Sequence, residues 1–508
     1  LILTQNRTAV KIFRKKIPPG ALFFSFVPRF GTPETLLRAP AGFGRARAET
    51  VFLAEKNILG ADAMERKLTL PGLAAPIFVE NFLNKLLTMV NVYLLSRLSQ
   101  DAVAAIGVAN QFLNFITMAF SFVTFGVAVV IAQNRGAGDE KRASEAATAA
   151  VVANVVFGLT VGLLLLLFHR PLLRAMNMEG ELLDYSGTYL TIIGGCCFLQ
   201  ALNLTLATIM RNYGRARAPM LVFLFMNVLN LAGNAAVVMR PFGLPDFGIA
   251  GIASCTVLSQ LVACFLMIGC AVRARIRLRL PCPFPFRLLK DILRIGIPGT
   301  GDGLACNAGN IFLTYCVSTM GADALAAHTY AVQLIAFVQV LGYSVGQASQ
   351  ILVGYRCGAH DFDGAYKLAF RNTWIAMGLN LAVIAALFLF QRPILSLFTD
   401  NPAIVEMVFY CLLVDILQEF GRPFNLVIGV SLRGTGDVLW ALAAAVGSIG
   451  LLCIPLGYLL TQVFHLGVYA VFIALMADEW VRGQLMTYRW RTRKWQKYVL
   501  IKQGAAQG

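Results

Sequence analysis

Charge is what this sequence has little of. Of its 508 residues 14% are charged and 58% hydrophobic, whereas an ordinary soluble chain carries about 25% charged residues. That is too little to coat a folded surface of this size in water. Histidine is scarce as well: His169, His328, His360 and His465 are the full set, with no His-Glu-x-x-His spacing to hold a helical zinc site. The 11 cysteines, Cys196, Cys197, Cys255, Cys306, Cys316 and Cys453 among them, sit almost all in apolar runs without a Cys-x-x-Cys pair. No zinc ribbon or redox motif is encoded, no cofactor is expected, and the cysteines read as small apolar side chains. No Ser/His, paired-Asp or zinc constellation stands at useful spacing, so an enzyme is not expected.

What the chain has instead is a series of apolar runs, each long enough to cross a hydrocarbon core as a helix. Continuous runs such as Val151–Phe168 lack the alternation of a barrel strand. Twelve spans are expected, near 71–97, 102–132, 143–168, 182–209, 217–238, 248–272, 292–318, 324–353, 366–390, 403–432, 438–462 and 466–488. The net charge of +17 could suggest nucleic acid. Its basic residues, however, concentrate in the tails and between or at the ends of the runs, the pattern of membrane topology and anionic lipid. The basic loops Arg135–Arg142, Arg211–Arg217, Arg273–Arg294, Arg356–Arg371 and Arg433 fall on one side with the C-terminal tail. Arg97, Arg170, Arg174, Arg240 and Arg392 fall on the other. The positive-inside rule then places both termini in the cytoplasm of a multi-pass protein of the cell membrane.

Residues 1–63 differ from the rest. They mix basic residues with Pro and Gly around one short apolar patch, Ala21–Val27, and the first methionine is Met64. The segment is read either as upstream sequence translated from a misplaced start or as a disordered basic tail.

The most informative feature is a repeat. A shift of 222 residues brings Pro76 onto Pro298, Glu80 onto Asp302, Tyr93 onto Tyr315 and Gln111 onto Gln333. It also brings Asp101–Ala105 onto Asp323–Ala327, Gly136-Ala-Gly-Asp139 onto Gly358-Ala-His-Asp361, and Arg211-x-x-Gly214 onto Arg433-x-x-Gly436. Six helices per copy give both copies the same orientation, related by an axis along the membrane normal. The expected division is residues 64–272 and 292–488 as two six-helix lobes, 273–291 as the linker and 489–508 as a basic tail. Two lobes that rock about a central site are a transporter's architecture.

With these motifs, and with Ser431-Leu-Arg-Gly-Thr-Gly-Asp437 and Asp478-Glu-Trp-Val-Arg482, residues 64–494 resemble the multidrug and toxic compound extrusion (MATE) transporters, in a bacterial branch. The resemblance implies an all-α fold of twelve helices in two lobes. It also implies export of small organic, often cationic, compounds from the bilayer-embedded protein, here expected as a monomer, in exchange for H+ or Na+. The alternative is a flippase for a lipid-linked oligosaccharide, which would need several basic residues lining its cavity. A non-transporting sensor or scaffold has no use for symmetric buried acids.

An ionisable side chain inside a span is costly and marks a functional candidate. The first helix carries Glu80, Asn84, Thr88 and Asn91 along one face, and the seventh carries Asp302, Cys306, Asn310 and Thr314. Both stripes are read as coupling or substrate sites facing the cleft, or as interhelical hydrogen-bond glue. The tenth helix offers Asp415, Glu419 and Arg422, either an internal ion pair or a gated one. Lys85, five residues from Glu80, is a counter-ion or a structural partner. The better-known family members carry acids where this chain has Asn91, Cys306 and Arg422, so the family's coupling site does not transfer residue by residue.

Other residues read as structural. Gly136 and Gly358 are expected in turns capped by Asp139 and Asp361. Arg211 and Arg433 should meet lipid phosphate, His328 should be packed, and Trp480, Trp490 and Trp495 should form an interfacial belt.

Overall fold

The computed structural model describes residues 68–96, 100–176, 178–239, 247–276, 285–396 and 401–501, with positions 245, 278 and 399. The segment 1–63 lies outside them, as do the side chains of Tyr93 and of residues 101–104.

Among the described residues twelve helical spans follow one another. They are α1 (Leu70–Ser96), α2 (Gln100–Gly136), α3 (Glu140–Arg174), α4 (Gly180–Gly195 with Cys197–Asn212), α5 (Arg217–Met239) and α6 (Gly248–Arg273). The second set is α7 (Phe286–Ser318), α8 (Ala322–Gly358), α9 (Phe362–Leu395), α10 (Pro402–Gln418, then Phe424–Gly429 and Val430–Thr435), α11 (Val438–Val463) and α12 (Tyr469–Arg491). Eight of these are long and apolar enough to cross a membrane on length and composition alone, and the two halves of α4, bent by 47°, make a ninth. The other three, α7, α10 and α12, are the spans that carry clusters of charge or a break.

Three spans depart from the uninterrupted α-helices expected, α11 through π-helical turns over Ile449–Cys453 and Leu459–Val463, and several ends move. α4 is bent at Cys196, and α10 stops at Gln418 and resumes as a π-helical turn over Phe424–Gly429 after Pro423. Proline removes a backbone donor, and such π turns concentrate at functional positions. α7 begins at Phe286, so the end of the stretch expected as linker is already helical.

The repeat is visible in the packing. In the first half α1 packs on α5, α2 on α3 and α4, and α6 on α4 and α5. In the second half α7 packs on α11, α8 on α9 and α10, and α12 on α10 and α11, the same pairs six helices later. The halves meet where α2 crosses α7 and α8, and where α1 crosses α8. Small residues let the helices approach: a Cβ on Gly136 would stand 2.0 Å from the Tyr355 carbonyl oxygen, and one on Gly358 1.9 Å from that of Gln133. Gly136 and Gly358 are thus crossing points as well as turn residues. The Gln133 side chain donates to the Gly434 carbonyl at 3.0 Å, and Tyr355 donates to the Asn212 carbonyl at 2.6 Å. These two bonds are related by the same 222-residue shift.

The turns behave as expected. Asp139 accepts from the Arg142 backbone N–H and Asp361 from that of Gly364, each at 2.8 Å. The left-handed residue of each turn is Gly138 in the first copy (φ +80°) and His360 in the second (φ +58°). His328 is buried against Phe472, as expected.

The tryptophans and the tail correct the sequence reading. Trp480 is exposed, but Trp490 and Trp495 are fully buried and stacked at 4.4 Å. Beyond α12 the chain folds back as a 3-10 turn, Lys494–Tyr498. The Leu500 backbone N–H then reaches the Gln133 side chain of α2 at 2.9 Å. Arg489 clamps Asp437 at 2.7 Å, and Val499 is buried in a core cluster drawn from both halves. An aromatic pair near a membrane end gives no sign of a chain reversal a few residues later, so the belt reading was the natural one.

Gly136→Val or Gly358→Val forces a side chain into the opposing backbone and should cost at least ~2 kcal/mol. Gly378→Ala, with open space around its Cβ, should be neutral or stabilising by up to ~1 kcal/mol. Thermal unfolding of the purified variants in detergent, compared pairwise, checks both.

Candidate functional site

In the membrane a charge needs a partner, and the structure supplies partners from an unexpected place. Glu80 on α1 is buried and ion-paired to Arg211 at the end of α4. Asp302 on α7 is ion-paired to Arg433 at the end of α10. The two pairs are related by the repeat, each arginine standing 131 residues after its acid. Arg211 and Arg433 therefore turn inward rather than out to lipid phosphate, because a buried carboxylate offers a long guanidinium stem a stronger and dehydrated partner.

The rest of the α1 stripe is an amide ladder. Asn84 accepts from Asn227 at 2.5 Å. Asn91 donates to Asn230 and accepts from Asn234, both at 3.3 Å, and Asn230 donates to Thr256 on α6 at 3.0 Å. Of the residues expected there, Glu80, Asn84 and Asn91 all turn toward the first half's interior, while Thr88 is exposed and bonds the Asn84 carbonyl. The ladder is polar but contains no ionisable group.

The α7 stripe is not a copy of it. Cys306 lies 3.9 Å from Asp302 and 3.3 Å from the Arg482 guanidinium. Asn310 is exposed, and only its backbone is engaged, by Thr314. Arg482 on α12 gathers a cluster that sequence reasoning missed: it stands 2.6 Å from Asp478, 3.1 Å from Glu479 and 3.7 Å from Asp302. Asp478 also accepts from Ser448 at 2.6 Å, and Glu479 from Asn425 at 2.9 Å. The signal was present, since Asp478, Glu479 and Arg482 stand i, i+1 and i+4 inside an apolar helix. Asn227, Asn230 and Asn234 were likewise legible as a periodic polar face on α5.

On α10 the expected pairing is present and extended. Arg422 bridges Glu419 and Asp415, the latter at 2.6 Å, and Asn380 donates to Glu419 at 2.8 Å. All three charged residues are buried inside the second half, one step before the π-helical turn. Lys85 is half-buried and, among the described residues, makes no ion pair. Arg211, Arg422, Arg433 and Arg482 are thus each held by an acid.

Removing one member of a buried pair strands the other, at a cost of ~3–5 kcal/mol. Glu80→Gln should therefore lower the unfolding temperature clearly, and Glu80→Gln with Arg211→Gln should recover most of it. If the single and double variants unfold together, Arg211 is not held by Glu80.

The chain is similar to known proteins over most of its length. The MatE family profile matches residues 76–236 and 302–459, one match in each half of the repeat. The chain is 34% identical over 435 residues to the uncharacterized transporter YisQ of Bacillus subtilis, covering 85% of this chain and 95% of that one. It is 27% identical over 452 residues to the probable multidrug resistance protein NorM of Thermotoga maritima, covering 88% and 97%. Among solved structures, a multidrug resistance MATE family transporter in its outward-facing conformation superposes with a TM-score of 0.75 at 22% identity. That superposition covers 84% of this chain and 95% of the other.

Proposed function

Because the chain belongs to the MATE family of membrane transporters, we propose that it is a secondary antiporter of the cell membrane. In this reading it works as a monomer and exports small organic, often cationic, compounds in exchange for H+ or Na+. The observation that carries the reading is a charge surplus inside the second lobe. Five carboxylates (Asp302, Asp415, Glu419, Asp478 and Glu479) share three guanidinium groups (Arg422, Arg433 and Arg482). The first lobe's Glu80–Arg211 pair is balanced.

Two uncompensated negative charges are costly in a low-dielectric interior. A proton, a sodium ion or the cationic group of a substrate relieves that cost, and any two of them compete for it. Side-chain exposure points to where the exchange occurs. Asp302 and Glu479 are 17% and 14% exposed, against 0–2% for Asp415, Glu419 and Asp478. Arg482 touches both accessible acids and can lean toward whichever is left charged. Because one ligand displaces the other, uptake of the coupling ion drives release of the compound as the lobes rock. The flippase alternative needs free cations for pyrophosphate, and the arginines here are already committed.

Alternating access also fits the seam between the lobes. Its close crossings at Gly136 and Gly358 lie at the end carrying the basic loops Arg135–Arg142 and Arg356–Arg371. By the positive-inside rule that end is cytoplasmic, as are both termini. The arrangement then corresponds to an outward-facing state, with the chain reversal at Trp495–Leu500 strapped across the closed side.

Everted membrane vesicles loaded by a fluorescent organic cation, energised in turn by a proton and a sodium gradient, test the reading. Gradient-driven uptake is expected with one ion. Asp302→Asn should reduce it at least ten-fold and Glu479→Gln several-fold, with folding retained. Parental rates in both variants and in their combination would place coupling elsewhere. Removal of residues 495–508 should weaken the closed side and raise cysteine labelling from the cytoplasmic face at positions near Gln133. Unchanged labelling would show that the strap does not hold the lobes.

A further inference from the structure

Features shared by the two lobes serve what the lobes have in common, and features found in one lobe serve what is particular to this chain. The acid–arginine pairs, the capped turns and the seam hydrogen bonds occur twice. Lys85 occurs once: the repeat places Asn307 at its position in the second lobe.

Its surroundings exclude the ordinary roles of a membrane lysine. Glu80 is already held by Arg211, and it lies on the α1 face that turns to Asn227 and Asn230 through Asn84 and Asn91. Lys85 lies on a different face. It follows Asn81 and Phe82 at helical spacing, and those two residues touch α8 of the other lobe: Asn81 donates to Ser344 at 3.4 Å and the Phe82 ring stands 5.7 Å from Phe337. Lys85 is the next turn along that line, at the seam between the lobes. Snorkelling is limited by depth, because Lys85 sits about 16 Å along the axis from the Ser96 end and farther from Leu70, more than a lysine stem spans. An ammonium half-buried at this depth, with no anion paired to it among the described residues, is expensive, so the site is suited to receive one.

Resting on the antiporter reading, we propose that Lys85 is an anion-binding subsite for the transported compound, and that this compound is zwitterionic. Its carboxylate meets the Lys85 ammonium on the first lobe while its cationic group relieves the acid surplus around Asp302 and Glu479 on the second. A molecule bound in this way is attached to both lobes across the seam. A plain organic cation would leave Lys85 uncompensated and add a like charge to its vicinity.

The test uses the purified full-length protein and two dyes, rhodamine B and its ethyl ester, which share the cationic ring system and differ in the free carboxylate. Binding is read by fluorescence anisotropy. The parent should bind rhodamine B at least ten-fold more tightly than the ester. Lys85→Gln should abolish that preference by weakening rhodamine B alone, and Lys85→Arg should retain it. Equal binding of both dyes by the parent, binding of neither, or equal weakening of both by Lys85→Gln overturns the subsite. The parent's own preference keeps the test decisive should Lys85→Gln fail to fold. Gradient-driven efflux in everted vesicles separates the two readings. Efflux of both dyes without a carboxylate preference sinks the subsite and leaves the antiporter standing, whereas carboxylate-selective binding without efflux supports the subsite and sinks the antiporter.

Discussion

A charge placed in a bilayer must bring its partner with it, and the rest of this fold is arranged around that constraint. The Glu80–Arg211 and Asp302–Arg433 pairs each tie the first helix of a lobe to the end of its fourth. The α10 triad and the Arg482 cluster add further ties within the second lobe. These buried pairs all lie within a lobe. The seam, by contrast, is made of close-packed small residues, hydrogen bonds from neutral side chains, as at Gln133, Tyr355 and Asn81, and ring contacts such as Phe82 with Phe337 and Arg135 over Tyr355. Bonds of the second kind are worth about 0.6 kcal/mol on average between membrane helices, whereas breaking a buried ion pair costs several times that. The strength is therefore inside the lobes, and the weakness is between them, which is the distribution a rocking mechanism needs.

Much of this was legible in the sequence because it is local or periodic. Apolar run length gave the spans, the 222-residue shift gave the lobes, and Asp139 and Asp361 announced themselves as caps. Arg211 and Arg433 were misjudged for a physical reason: an arginine at a helix end can point out to phosphate or in to an acid, and hydropathy assigns it to the loop either way. The repeat itself held the correction. An acid and an arginine 131 residues apart in both copies is a spacing that loops have no reason to keep. Trp490 and Trp495 failed differently, since their burial depends on a chain reversal that no residue pattern signals.

The departures from the family pattern now have a geometry. Asn91 stands among Asn230, Asn234 and Thr256, a site that keeps its hydrogen bonds but has no ionisable member. Arg422 occupies a position where relatives carry an acid, yet Asp415 and Glu419 flank it within two turns.

That asymmetry bears on how an almost symmetric machine can be driven. If each lobe held the same titratable charge, a coupling ion could bind either one, and some occupancies would leave the substrate in place. In the proposed antiporter, with the balanced Glu80–Arg211 pair on one side and five acids against three arginines on the other, ion and compound would contend for a single lobe. In that proposal the first lobe is free to contribute contacts that distinguish one compound from another, and Lys85, which makes no ion pair among the described residues, is proposed as such a contact. Coupling placed in one lobe and selectivity in the other lets either change without rebuilding the repeated scaffold that both depend on.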